Sequence, residues 1–167
     1  MPVSTLPLWA IDYEVSRIQF TAEQAGAPFN GVFSSWQADI HFDPEHLHNS
    51  VAHVSIELSS VDTKDADRDE TLALAEWFAG GTAQFQASEF TRNDADGYTA
   101  TNATLAFAGE AQPIDFVFTL QVLEGRNILI GHARLDRLAL GVGTGDWSDT
   151  TWVGGFVEVD IRVEAIN

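Results

Sequence analysis

The stretch FVEVDIRVEA, residues 156–165, decides the fold. Val157, Val159, Ile161 and Val163 fall on one side of it; Glu158, Asp160, Arg162 and Glu164 fall on the other. Successive side chains of a β-strand point to opposite faces, so strict alternation of apolar and charged residues means a strand with one buried and one wet face. The same period runs back through the chain. PIDFVFTLQV (113–122) puts Ile114, Phe116, Phe118 and Leu120 on one face, and HVSIELSS (53–60) does the same with Val54, Ile56 and Leu58. SSWQADIHFD (34–43) aligns Trp36, Ala38, Ile40 and Phe42. Turn signals at Asp43-Pro44, Gly80-Gly81, Asp96-Gly97, Gln112-Pro113 and Glu124-Gly125 separate the runs.

This pattern predicts strands near 8–13, 16–25, 30–43, 51–61, 82–92, 98–108, 113–123, 127–137 and 153–165. Short links between long strands favour an antiparallel up-and-down meander. Long strands without covering helices satisfy their edges best by closing into a barrel. The expected fold is therefore all-β, a single domain over 1–167 forming an eight-stranded lipocalin-like barrel; a two-sheet sandwich is the alternative.

One stretch breaks the period. In RDETLALAEWF (68–78), Leu74 meets Trp77 and Phe78 at helical spacing, and Asp65, Asp67 and Asp69 crowd the start, where acidic side chains suit a helix N-terminus. The expected helix, about 66–78, is long enough to lie across one open end of the barrel as a plug or lid.

Composition narrows the partners. The chain has 25 acidic and 8 basic residues and a formal charge of -17, which repels phosphate backbones and anionic lipid surfaces. Nucleic acid is excluded as a partner on that ground. Cysteine is absent, so there is no disulfide or thiolate site. The opening MPVSTLPLWAID has neither the basic nor the apolar region of a signal peptide, which fits a cytosolic chain or a mature exported one.

Few motifs offer chemistry. Four of five histidines, His41, His46, His48 and His53, lie within HFDPEHLHNSVAH, and beside Asp43 and Glu45 they are candidate zinc ligands or catalytic groups. No third ligand at a diagnostic spacing fixes such a site, so no metal is expected and a wet hairpin end is the better account; an enzyme or metal-binding protein using the four histidines is the alternative function. GVGTGDW (141–147) lacks the Lys-Ser/Thr ending of a phosphate loop, and there is no Gly-x-Ser-x-Gly. The remaining signal is aromatic: 11 Phe and 5 Trp. Large apolar groups pointing into a closed barrel suggest a slot for an apolar ligand. Its expected lining is Phe20, Trp36, Ile40, Ile56, Leu58, Phe85, Phe116, Phe118 and Ile130 on strands. Leu74, Trp77 and Phe78 would add to it from the helix, and Trp147 and Trp152 from the last loop.

The order of these segments resembles the YceI-like family. WAIDYEVSRIQF (9–20), GVFSSWQADIHFDP (31–44) and SVAHVSIELSSVDTKDADRDETL (50–72) match its opening strands; Ser-Val-Asp-Thr followed by Arg-Asp-x-x-Leu is the most specific piece. AEWF (75–78) stands where the family has paired aromatics, and LALGVGTGDW (138–147) resembles its late Gly-containing segment. The chain departs where the family carries histidines: YEVSR leaves Ser16 without a preceding His, QAG (24–26) replaces His-x-Gly, and Thr71 replaces the His of Arg-Asp-x-His-Leu. FAGEAQPIDF (107–116) also replaces the usual turn. The resemblance implies a non-enzymatic carrier of a polyisoprenoid or an isoprenoid quinone such as ubiquinone, held as ligand and not as catalytic cofactor. It also implies a periplasmic or secreted setting, with a membrane or redox protein as transient partner. It leaves the oligomeric state, a homodimer included, open.

Overall fold

In the computed structural model, residues 5–166 are described apart from 75–76, 78–80, 94–96, 108–109, 144, 148 and 152, with the backbone alone at 110 and 146. The strands are β1 (Ala10–Ile11), β2 (Arg17–Gln24), β3 (Ala27–Phe33), β4 (Trp36–His41), β5 (Val51–Glu57), β6 (Val61–Asp62), β7 (Thr82–Ala87), β8 (Phe90–Arg92), β9 (Gly97–Phe107), β10 (Glu110–Leu123), β11 (Arg126–Asp136) and β12 (Phe156–Ile166). One helix, α1 (Ala66–Leu72), lies between β6 and β7.

All twelve strands form one antiparallel sheet with neighbours in the order β4-β5-β7-β9-β10-β11-β12-β2-β3-β6. The sheet curls round on itself, because β3 pairs with β2 and then runs through Ser34 and Ser35 into β4, which pairs with β5. The β3–β4 bend thus links one end of the path to its next-to-last strand, and β6, which follows β5 through a 3-10 turn, pairs with β3 at the other end. Residues 9–13 fill the seam beside the bend: β1 pairs with β12 (Ala10↔Ile166), the Trp9 N–H donates to the Ile40 carbonyl (2.8 Å), and the Ala38 N–H donates to the Tyr13 hydroxyl (3.1 Å).

There are more strands than the expected eight because bends cut several long ones. The 3-10 turn Leu58–Ser60 divides β5 from β6, and two residues part β7 from β8. Gln112-Pro113 is no turn: β10 starts earlier, with Glu110 opposite Phe107 and Pro113 opposite Thr104. Two hairpins have two-residue loops with positive φ at both positions, Ala25-Gly26 (53° and 79°) and Glu124-Gly125 (51° and 77°). That geometry matches the right-handed twist of the flanking strands, and glycine reaches it without a Cβ penalty.

Alternation sets the interior. Ile18, Phe20 and Ala22 of β2, Phe116, Phe118 and Leu120 of β10, and Leu129, Gly131, Ala133 and Leu135 of β11 are buried, while the residues that alternate with them are partly or fully exposed. The phase slips once in β9, where Ala100 and Ala103 are both buried. Asn102, at φ 53°, opens a bulge there opposite the register shift between Ile114 and Phe116.

Helix α1 is shorter than the expected 66–78. It ends at Leu72, and the following bonds run three residues back: the Leu74 N–H donates to Thr71 O (3.1 Å) and the Trp77 N–H to Leu74 O (3.0 Å). Tight turns replace helix, so helical spacing no longer relates Leu74 to Trp77. Leu74 is 47% exposed, whereas Trp77 is buried.

Candidate functional site

The Ser-Val-Asp-Thr and Arg-Asp segments anchor α1 at one end of the barrel. The Asp65 carboxylate caps the helix by accepting from the Arg68 N–H (3.1 Å), and Asp69 Oδ1 accepts from both the N–H (3.0 Å) and the hydroxyl (2.6 Å) of buried Thr63. The Arg68 guanidinium lies 4.1 Å over Phe29 and donates to Gln24 Oε1 (3.2 Å) and to the Thr63 carbonyl (3.3 Å). These charged residues tie the helix to the β2–β3 hairpin.

Beneath α1 is a mouth cavity of about 270 Å³, walled by residues that include Phe20, Phe29, Leu72, Trp77, Val142 and Trp147. Deeper lies a chamber of about 130 Å³ with wholly apolar walls, among them Ile40, Ile56, Leu58, Phe85, Phe116 and Phe118. Phe33, Phe107, Leu135 and Val159 border both, so the two spaces adjoin across these side chains along the barrel interior, here called the lumen. An aromatic cluster packs the end away from α1. The Phe42 ring centre lies 5.2 Å from Phe90, 5.3 Å from Tyr98 and 5.4 Å from Phe118, and Trp9 Nε1 donates to the Phe42 carbonyl (3.1 Å). The lumen is closed at that end by side chains and approached from the helix end.

Arg137 is the unexpected wall residue. It is 2% exposed, and among the described residues no carboxylate bonds to it. Its five N–H groups all donate to backbone carbonyls: Nε to Gly154 (2.8 Å), Nη1 to Val142 (3.1 Å) and Gly143 (2.7 Å), Nη2 to Trp147 (2.7 Å) and Val153 (3.0 Å). One side chain therefore ties together the loop that forms half the mouth. Burial pushes its pKa below the usual arginine range, and the charge of Asp136 offsets part of that. The sequence held a signal for it: continuing the inward phase of Leu129, Gly131, Ala133 and Leu135 brings an arginine to 137, where a hydrophobic residue is expected.

Nine of the expected lining residues border the lumen: Phe20, Trp77 and Trp147 at the mouth, and Ile40, Ile56, Leu58, Phe85, Phe116 and Phe118 in the chamber. Three do not. Ile130 is 46% exposed, because Ile128-Leu129-Ile130 is apolar throughout and cannot set its own phase; Leu129 takes the inner position. Leu74 faces water for the reason given above. Trp36, beside the bend at Ser34-Ser35, is half-buried against Tyr13 (4.9 Å) and borders neither space. Phe78 and Trp152 lie outside the described residues.

The histidines are not gathered. His41 Nδ1 contacts the Leu6 carbonyl (2.7 Å), His46 Nδ1 contacts Asp43 (3.2 Å), His53 Nε2 contacts Gln84 (2.7 Å), and His48 is exposed in the loop between β4 and β5. Among the described residues no group of three or more His, Cys, Asp or Glu is arranged to hold a metal ion.

Residues 9–165 match the model of the YceI-like domain. The chain belongs to that family. Among solved structures, its fold is similar to BcnA of Burkholderia cenocepacia, with 25% identity over 93% of this chain and 99% of that one and a TM-score of 0.88. A YceI protein of Campylobacter jejuni is 21% identical over 82% of this chain and 84% of its own, with a TM-score of 0.71. A polyisoprenoid-binding domain from Saccharophagus degradans is 15% identical over 95% and 97%, with a TM-score of 0.72. No curated protein matches the chain in sequence. Membership of the YceI-like family accounts for the α1 anchoring motif. Ser16, left without the family's preceding His, and the departures at Gln24 and Thr71 all have local partners here. Ser16 Oγ donates to Asp12 O (2.8 Å), Gln24 accepts from Arg68, and Thr71 Oγ1 donates to Asp67 O (3.0 Å).

Proposed function

We propose that this YceI-like protein binds an isoprenoid lipid, with the tail in the lumen and an uncharged head at the α1 mouth, and carries or sequesters it without catalysis. The observation that carries the proposal is the pair of adjoining, largely apolar cavities, packed by aromatics at one end and bordered by polar side chains only at the other. A tail-first ligand fits that gradient. Each methylene withdrawn from water contributes about 0.8 kcal/mol, so a few isoprene units suffice for useful affinity. The polyisoprenoid-binding domain of Saccharophagus degradans, which shares the fold, supports the ligand class.

A quinone is the preferred head. Its flat ring suits a mouth bearing Phe29, Trp77 and Trp147, and the charges there already balance, Asp65 and Asp67 against Arg68 and Arg137. A polyprenyl phosphate would bring further negative charge to a strongly acidic protein. The test is mass spectrometry of solvent extracts from purified protein, followed by titration with an isoprenoid quinone and a polyprenyl phosphate of equal tail length. Recovery of an isoprenoid and tighter quinone binding are expected. Absence of isoprenoid binding would refute the reading, and tighter phosphate binding would refute the choice of head.

A further inference from the structure

We infer that the Trp77 indole N–H is the hydrogen-bond donor to a neutral oxygen on the head of the bound isoprenoid. This rests on the isoprenoid reading of the lumen and adds the residue that selects the head.

Trp77 borders the mouth and is 9% exposed, and its Nε1 is the one buried side-chain nitrogen or oxygen among the described residues without a hydrogen-bond partner. Buried donors are almost always paired, so an orphan on a cavity wall calls for an acceptor that arrives with a ligand. The other donors of this wall are engaged or within reach of water. All five N–H groups of Arg137 are held by carbonyls, and the Thr71 hydroxyl donates to Asp67 O. Arg68 donates to Gln24 and Thr63 and faces Asp65 (3.8 Å), and its side chain is 24% exposed, so water reaches its remaining N–H groups. Gln24 and Trp147 are only half-buried, so water can satisfy their N–H groups.

The indole is also held in place. A Cβ on Gly143 would fall 2.7 Å from Trp77 Cη2 and 2.8 Å from Cζ3, so the far edge of the six-membered ring abuts that glycine. The pyrrole edge, with Nε1, is at the opposite end of the ring. The Arg137 guanidinium lies 5.2 Å from the ring centre and Trp147 lies 5.6 Å away. The donor is therefore oriented before any ligand arrives, and little ordering cost attends its use. Asp65 and Asp67 balance Arg68 and Arg137 on the same wall, so no net charge there attracts an anion and a neutral acceptor, a ring carbonyl or ether oxygen, suits the donor.

The experiment compares two ligands of equal tail length, an isoprenoid quinone and an isoprenoid hydrocarbon without a head, on the wild type and on Trp77→Phe. With 15N-labelled tryptophan, the indole resonance missing from the variant identifies Trp77. The quinone should shift that resonance downfield and the hydrocarbon should not. Trp77→Phe should weaken the quinone about five- to tenfold and leave the hydrocarbon within about twofold. Equal losses for both ligands, or a resonance that ignores the quinone, would overturn the inference while leaving the isoprenoid lumen standing. A larger downfield shift with polyprenyl phosphate than with quinone would overturn the neutral-oxygen assignment. Failure of both ligands to bind the wild type would instead remove the lumen reading itself. If that variant does not fold, single Phe replacements of the other four tryptophans assign the Trp77 resonance by elimination, and the wild-type spectrum then decides the matter.

Discussion

The Phe116 ring lies against Gly131 on the neighbouring strand, in the space that a Cβ at residue 131 would occupy. Phe20 covers Gly31 in the same way, and Phe20 and Gly31 are direct cross-strand partners. Large rings laid over strand glycines let a tightly curved wall stay packed. Gly131→Ala should therefore destabilise the protein by about 1–3 kcal/mol through overpacking. Combining it with Phe116→Leu should cost less than the sum of the two single changes. Urea unfolding of the four species in this cycle measures the coupling; strict additivity would show that ring and glycine are independent.

Arg137 invites a charge-conserving test. Lysine keeps the positive charge but has three donors for five carbonyls, and it lacks the planar fork that reaches both sides of the loop. Arg137→Lys should cost about 2 kcal/mol or more, from carbonyls left unpaired in the interior. Arg134→Lys on the outer face should stay within about 0.5 kcal/mol. Thermal melts of the two variants side by side make the comparison.

Asp69 should matter through its oxygen and not its charge. Asp69→Ala leaves the buried Thr63 N–H and hydroxyl without their acceptor, at an expected cost of about 1–3 kcal/mol. Asp69→Asn retains a carbonyl oxygen and should recover most of that. Melting temperature and protease sensitivity of the α1 segment are the readouts; equal effects of the two variants would count against the assignment.

The outer wall holds a pH-dependent contact. His132 meets Asp160 at Nδ1 (2.9 Å) and Glu158 at Nε2 (2.7 Å), with Arg134 also against Glu158 (3.5 Å). Its pKa is raised, first by the hydrogen bond to Asp160; burial opposes this, and the charges of Asp160 and Glu158 add smaller upward contributions. A pKa raised by folding stabilises the native state below the unfolded value near 6.5, and the gain is lost as pH rises through the folded value. Wild type should thus exceed His132→Gln in stability at pH 5–6, with the gap closing above the folded pKa. The site is exposed, so about 0.5 kcal/mol or less is expected, shrinking with salt. A gap that widened with rising pH would contradict the ion-pair account.

The curled sheet was legible because period two is enforced wherever one face must be dry: Val157 to Val163 and Ile114 to Leu120 carry their phase openly. Ile130 was not, since an unbroken Ile128-Leu129-Ile130 run is consistent with either phase. Its neighbour Gly131 decides the matter only once Phe116 is known to lie over it. Leu74, Trp77 and Phe78 imitate a helical stripe, and the tight turns after Leu72 that undo it depend on backbone bonds no residue type announces. Arg137 stood in plain view as a charged residue at an inward position, but its five carbonyls come from a loop that only the fold brings around it. The unpaired indole of Trp77 is likewise invisible to any pattern, because an absent acceptor leaves no mark on sequence.

The seam has a bearing on how the chain is made. Ile18 of β2 pairs with Ile161 of β12, and Ile11 pairs with Ala165. At about 5–20 residues per second, the first hairpin emerges from the ribosome on the order of ten seconds before its outer partner exists. Throughout that interval β2 presents an unpaired edge to every other nascent copy nearby, the situation in which strands join the wrong chain. A net charge of -17 makes those copies repel one another. The acidity that disfavours an anionic head thus also acts as protection for a barrel that cannot close until its last strand is synthesised.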